Sequence, residues 1–349
     1  MHIPDGYLGP NTYIAFWIIM VPIWYFAGKK LSAELRSKQV PLLALAAAFS
    51  FVIMMFNVPI PGGSTGHAVG GAIVGIVLGP WAAVIALSVA LVLQALMFGD
   101  GGITAIAANC FNMGVVIPFV GYYTYKFISG STEITSSRRV IAAAIAGWLS
   151  LTLASFCAGF EFGIQPILNH TPEGVPLYMP YPLSVTVPAM VLEHALGFSI
   201  LEALITALIF AYIQRTDTSV LYGERSRSLK KEPNAAASAG GEIMDKMLRN
   251  FAIGLVLLII LAPLGLLAVG ETFGEWGSEE IKEKLGYVPQ GLEKLSGVWN
   301  APLPDYAFPG GENSESLPLS AAAYILSAVI GVVVCGGLLY FVGKKVARD

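Results

Sequence analysis

The chain has 349 residues, of which 55% are hydrophobic and only 12% charged, with a formal net charge of -3 and a mean hydropathy of +0.69. Soluble domains carry about 25% charged residues, and apolar runs of about 20 residues match the thickness of a bilayer. This composition describes a polytopic all-α membrane protein and excludes a soluble single-core enzyme, a disordered chain and a basic nucleic-acid binder.

Nine apolar segments follow in chain order, near 12–28, 40–57, 66–79, 81–98, 103–126, 139–160, 183–213, 250–270 and 318–342. The third is short and Gly-rich, and Gly79-Pro80 separates it from the fourth. Gly71, Gly75 and Gly79 form a GxxxGxxxG row, and Ala142 and Ala146 repeat the spacing on the sixth. Such rows let helices approach closely. Packing inside the bundle is the preferred reading, and a docking face for a partner subunit is the other.

Basic residues orient the chain. With the N-terminus outside, the inside connections 28–40, 126–139, 213–250 and the C-terminal tail hold 17 of the 20 Lys and Arg residues. Lys282, Lys284 and Lys294 lie in the outside segment 271–317. This bias predicts nine crossings, N-terminus outside and C-terminus cytoplasmic. The chain divides into a seven-span unit (1–213), a charged cytoplasmic linker (214–249) whose part Glu232–Gly241 reads as flexible, and a two-helix hairpin with a polar outside loop (250–349).

The first six residues, Met1-His2-Ile3-Pro4-Asp5-Gly6, are the most informative. They contain no basic residue, so they are not expected to form a cleaved signal peptide. Methionine should be retained before a residue as large as His2, which leaves a free amine once any formyl group is removed. The Met1 amine, the His2 amide nitrogen and His2 Nδ1 can close a five- and a six-membered chelate ring on one metal. The metal makes amide deprotonation possible. A plane of nitrogen donors suits Ni(II) or Cu(II) and leaves one position for a fourth donor. Pro4 stiffens the exit from the chelate, and Asp5-Gly6 reads as a turn.

The chain has only four histidines. His67, where the outside loop enters the third segment, is the candidate fourth donor, because the topology puts it on the same face as Met1 and His2. His194 follows Glu193 inside the seventh segment, and ionisable groups at membrane depth point to function. A structural Glu193–His194 contact and a role in transport both stand as readings. Glu202 should face nearly the opposite way, and His170 reads as an exposed loop residue. Asp100, in the turn Phe98-Gly99-Asp100-Gly101-Gly102, either caps the next helix or belongs to a loop pressed on the N-terminal segment. Asn109 and Asn112 read as interhelical hydrogen-bonding groups, or as groups that orient the ligands. Cys110, Cys157 and Cys335 have no metal-ligand spacing and read as buried apolar residues. There is no GxxxxGK[ST] phosphate loop and no hydrolase motif, so the chain is expected to be no enzyme and to draw energy for transport from elsewhere.

Residues 1–213 resemble the substrate-capture subunit of nickel/cobalt energy-coupling-factor transporters, the NikM/CbiM family. The resemblance is carried by MHIPDG (Met1–Gly6), PIPGGSTGHAVGG (Pro59–Gly71), FGDGGITAIAANCFNMG (Phe98–Gly114) and EHALG (Glu193–Gly197). GSTGH has Ser-Thr where many members read GGTGH, which does not move His67. The resemblance implies a seven-helix bundle into which an extracellular N-terminal segment inserts. It also implies a square-planar Ni(II) or Co(II) held by the Met1 amine, the His2 amide and imidazole, and His67. Residues 250–349 resemble the PDGLE, or NikN-like, accessory domain, through PQGLEKL (Pro289–Leu295, with Gln290 at the Asp position), PDYAFPG (Pro304–Gly310) and ENSESLPLS (Glu312–Ser320). Expected partners are a membrane coupling subunit (NikQ/CbiQ-like) and cytoplasmic ATPases (NikO/CbiO-like) in a prokaryotic plasma membrane. The metal would be cargo, with no permanently bound cofactor. Alternatives are a cobalt importer feeding cobalamin synthesis and an ATP-independent secondary transporter using Glu193 and His194.

Overall fold

The computed structural model describes residues 1–60, 64–222, 239–268, 272–308 and 316–348. Most of the expected flexible stretch Glu232–Gly241, and parts of the PIPGG, PDYAFPG and ENSES motifs, lie outside the described residues.

After a buried N-terminal segment come α1 (Pro10–Glu34), which packs on the fourth helix, and α2 (Val40–Met54), which packs on the fourth and the last. A two-residue ribbon, β1 (Val58–Pro59) against β2 (Thr65–Gly66), leads into α3 (Gly71–Leu78). Then come α4 (Pro80–Phe98), α5 (Ile106–Ser129), α6 (Ser137–Gly163) and α7 (Leu183–Thr216). The second unit contributes α8 (Ala239–Leu261), two short outer helices α9 (Ser278–Leu285) and α10 (Gln290–Leu295), and α11 (Leu317–Val346). Helix α8 begins well ahead of its apolar stretch.

Prolines start α1, α2 and α4, where the missing N–H costs nothing. Pro22 and Pro188 lie inside α1 and α7, as membrane helices tolerate. Among the described residues, eight helices are long and apolar enough to cross a bilayer. The third expected segment is the exception. Its helix has 8 residues, about 12 Å at 1.5 Å per residue. The extended stretch before it makes up the rest of that crossing, and neighbours on all sides bury the irregular backbone.

The glycine row is internal. A Cβ on Gly75 would lie 2.7 Å from the Pro118 carbonyl oxygen, so α3 packs backbone to backbone on α5. Ala142 and Ala146 are fully buried as well, which removes the docking-face reading for these residues. Helix α11 lies along α2, with Gly331 against the Phe51 ring. Three wide, π-helical turns interrupt the long helices, at Gln94–Phe98, Cys110–Val116 and His194–Phe198. Such turns re-aim side chains and gather at functional sites. All three lie beside the same end of the bundle's interior.

Candidate metal centre

Residues 1–9 thread into the end of the bundle away from the basic helix termini. Met1, His2, Ile3, Tyr7 and Leu8 are all buried. The Asn109 amide grips Ile3 on both sides: Ile3 N–H donates to Asn109 Oδ1 (2.8 Å), and Asn109 Nδ2 donates to the Ile3 carbonyl (3.1 Å). Gly102 N–H donates to the same carbonyl (2.8 Å). Asp5 accepts from the backbone of Ile103 (2.9 Å) and Thr104 (2.8 Å) and from the Thr104 hydroxyl. Further along, Gly9 N–H donates to Gln165 Oε1 (3.0 Å) and Met179 N–H to the Tyr7 carbonyl (3.1 Å). The segment is therefore held as if it were one more strand of backbone.

His2 and His67 meet at the end of this segment. The β1–β2 ribbon and the buried Glu202 carboxylate deliver His67. Glu202 accepts N–H bonds from Val69 and Gly70 (both 2.8 Å) and so fixes the chain just past the histidine. His67 Nδ1–H donates to the Ala68 carbonyl (3.1 Å), which leaves Nε2 as a bare lone pair. His2 Nε2–H donates to Gln94 Oε1 (3.3 Å), which leaves Nδ1 bare. His67 Nε2 and His2 Nδ1 face each other across 3.2 Å. In neutral imidazoles whose other nitrogens donate, both present lone pairs here, an arrangement that a shared proton or a cation relieves. For metal–nitrogen bonds of about 2.0–2.1 Å, adjacent corners of a square are about 2.9 Å apart. Among the described residues no three His, Cys, Asp or Glu side chains form a metal-holding group.

The electrostatics favour neutral imidazole. Burial, and then the nearby Met1 ammonium, push the His2 pKa from 6.5 down to about 4, against the smaller pull of Glu275 and the Gln94 contact. Asp100 Oδ1 lies 3.1 Å from His2 Nδ1, and burial raises its own carboxyl while the Tyr306 hydroxyl works the other way. The sign follows from linkage. The docked imidazole binds its proton below the undocked value, so docking is fully stable above about pH 6.5 and weakens as pH falls toward 4. Without metal, undocking of segment 1–9 should rise about a hundredfold over that window. Hydrogen exchange at the Ile3 amide reads it, and equal protection at both ends would show that His2 is not held neutral.

The second unit closes the site. The Met1 ammonium donates to Glu275 Oε1 at 2.7 Å. Tyr7 O–H donates to the Trp276 carbonyl (2.8 Å), and Leu292 of α10 packs on Gly6. Tyr306 O–H donates to Asp100 Oδ2 (2.5 Å), and Gln94 Nε2 donates to Tyr306 (3.0 Å). Asp305 and Tyr306 take φ of 50° and 62°, a backbone that costs about 1–3 kcal/mol per residue and aims this hydroxyl inward. Tyr306 also stacks on Phe98 at 4.8 Å.

Several sequence expectations change here. Asp100 does not cap a helix; Asp5 fills that role for the turn before α5, and Asp100 joins His2 to Tyr306. Asn109 holds the N-terminal segment, whereas Asn112 donates to Glu161 (3.0 Å) away from it. His194 does not pair with Glu193: its Nδ1–H donates to the Met190 carbonyl (2.8 Å), and its ring sits edge-on to Phe198, which packs on Gly66. Glu193 is half-buried, Glu202 faces the interior, and His170 is exposed. Gln290 is exposed, while its neighbour Gly291 donates to the Leu177 carbonyl (2.7 Å), so PQGLEKL is a docking piece. Gln94, Glu275 and Tyr306 were missed. Gln94 was visible as a lone amide inside an apolar run and Tyr306 stands within PDYAFPG, where no role was expected of it, but Glu275 carries no local signal.

A helical membrane bundle with a buried nitrogen cluster at its chain start is the frame of a metal-handling membrane protein. Comparison with known proteins agrees: residues 2–220 match the family described as cobalt uptake substrate-specific transmembrane region, and residues 249–348 match the PDGLE domain. The chain belongs to this cobalt-uptake transmembrane family, in the form fused to a PDGLE domain. It is 45% identical to the fused nickel transport protein NikMN of Rhodobacter capsulatus, over 95% of this chain and 94% of that protein. It is 40% identical to the probable fused nickel transport protein LarMN of Lactiplantibacillus plantarum, over 96% and 95%. A solved truncated transition metal transporter is 46% identical, with a TM-score of 0.58, covering 62% of this chain and 99% of that one.

Proposed function

We propose that the chain captures Ni(II), or Co(II), and passes it through the membrane as the substrate-binding subunit of an ATP-driven importer. The donors are the Met1 amine, the deprotonated His2 amide nitrogen, His2 Nδ1 and His67 Nε2 in one plane. The observation that carries this reading is the pair of imidazole nitrogens, His2 Nδ1 and His67 Nε2, 3.2 Å apart beside the buried Met1. Nitrogen-only planar donors favour Ni(II) over Co(II), and the supply of metal decides which is carried. Loading exchanges the Met1–Glu275 ion pair for a metal bond and releases the amine and amide protons. Gln94 and the Ala68 carbonyl fix the imidazole tautomers, which are the usual supports of ligating histidines. In this reading the site end faces outside, and the basic connections 28–40, 126–139 and 213–250 face the coupling and ATPase subunits. The cobalt route to cobalamin differs only in cargo.

The test is Ni(II) titration of the detergent-purified chain, followed by reconstitution. One Ni(II) per chain with the yellow d–d band of a planar complex is expected. Uptake into liposomes should require the coupling subunits and ATP. Uptake by the chain alone, driven by a pH gradient, would instead support a secondary transporter. A Ni(II) spectrum of octahedral type would discard the planar site.

A further inference from the structure

Helices α5 and α6 hold between them a carboxyl group that metal capture does not use. Glu161, near the end of α6, is only 3% exposed, and Asn112, in the wide turn of α5, is fully buried. Asn112 Nδ2 donates to Glu161 Oε2 (3.0 Å). The other oxygen of each group, Asn112 Oδ1 and Glu161 Oε1, is enclosed by protein and has no hydrogen-bond partner. Buried polar atoms are nearly always paired. Two orphan oxygens on two side chains already in contact share one cause: the pair lacks a donor.

Charge deepens the gap. Among the described residues no Lys, Arg or His pairs with Glu161, and both groups lie within membrane-spanning helices. An ionised carboxylate there would face a single N–H, and an uncompensated buried charge is strongly destabilising. Glu202 gives the contrast. It is as deeply buried, yet it accepts from the backbone N–H groups of Val69, Gly70 and Ala72 where α3 begins, so its charge is met. A water between the two orphan oxygens could donate to both but would leave the charge on Glu161. A proton on Glu161 Oε1 removes the charge and supplies the missing donor.

We infer that Glu161 is a proton-binding site: it carries a proton on Oε1 and shares it with Asn112 Oδ1. With the Asn112 Nδ2 bond, this closes a neutral acid–amide ring between α5 and α6. Each member of the ring is one turn from a grip on the N-terminal segment. Asn109, before Asn112, holds Ile3. Gln165, after Glu161, accepts from Gly9 and donates to the Glu161 carbonyl (2.7 Å). The ring therefore sets the spacing of α5 and α6 under the docked peptide, and Glu161 is a positioning residue for the terminal chelate. This positioning role rests on the proposed metal site, whereas the proton does not.

Infrared spectroscopy of the detergent-purified full-length chain, at neutral pH and without metal, tests the proton. The C=O stretch of a neutral carboxylic acid is expected in the native chain. It should fall in frequency when the glutamates are isotope-labelled and be missing from Glu161→Gln. A native-minus-variant spectrum with a carboxylate stretch in its place would overturn the proposal in favour of an ionised Glu161 bridged by water. Ni(II) titration tests the positioning. Glu161→Gln can form the same ring, since its amide donates and accepts at the same two atoms, and should bind Ni(II) as the native chain does. Glu161→Leu leaves the Asn112 amide without its partner and should weaken Ni(II) binding about tenfold, as loss of a group supporting metal ligands does. Equal weakening in both variants, or native affinity in Glu161→Leu, would overturn the positioning role. The infrared readout needs no metal, so failure of the planar Ni(II) site and failure of the proton site are told apart.

Discussion

One residue added before Met1 is expected to weaken Ni(II) binding at least about a thousandfold, or about 4 kcal/mol. Two effects combine. The amine becomes an amide with no free lone pair, so the five-membered ring is lost. The terminus is also enclosed: Met1 is 5% exposed and its nitrogen meets Glu275 at 2.7 Å. An extra residue needs up to about 3.5 Å of chain there, which pulls His2 out of line with His67. Changes in supporting groups alone cost about 10–100-fold in metal affinity, so a lost donor and a lost register exceed that. Titration of native and extended chains, read at the planar d–d band, decides the matter. Equal binding by both would exclude the terminal chelate and turn attention to His67 with the acidic loop.

Gly102→Ala is expected to abolish the same band with the amine intact, lowering affinity about a hundredfold or more. A Cβ at residue 102 would overlap the Asp5 backbone nitrogen and lie 2.6 Å from Asp5 Cγ. Real Cβ atoms do not tolerate such contacts, and backbone cannot swing aside as a side chain can. The Gly102 bond to the Ile3 carbonyl and the Asp5 bonds to Ile103 and Thr104 share the same few ångströms, so they fail together. Gly28→Ala, where nothing lies within 4 Å, should leave binding unchanged. A Gly102→Ala chain with native affinity would mean that the docked segment does not set the donor geometry.

Both predictions concern how a short peptide is seated, and the seat is shared between the two units. Asn109, Gly102, Ile103 and Thr104 hold it from the first unit; Glu275, Trp276 and Leu292 hold it from the second. The outer loop of the second unit is therefore part of the wall of the candidate metal centre. The strained turn at Asp305 and Tyr306 belongs to that wall, since it sets the hydroxyl that fixes Asp100 next to His2.

Much of this was legible in the sequence. Apolar length and the basic connections define a helical membrane protein, because the bilayer fixes span length and backbone must satisfy itself within it. Met1, His2 and His67 stand out because the donor chemistry of a terminal Met-His is local: two chelate rings close within two residues. Other features were decided only by tertiary structure. The third crossing is an extended stretch with an 8-residue helix, because neighbours shield its backbone from lipid. Of the two readings of Asp100, packing decides for contact with the N-terminal segment, and Asp5 bonds the turn before α5, each acting on a partner about a hundred residues away. Gln94, Glu275 and Tyr306 reach the site by wide turns and by docking of the second unit, neither of which leaves a mark in local spacing. Local chemistry and solvent-imposed length are written in the order of residues. Which polar groups share one buried volume depends on how the helices pack, and only the folded chain decides that.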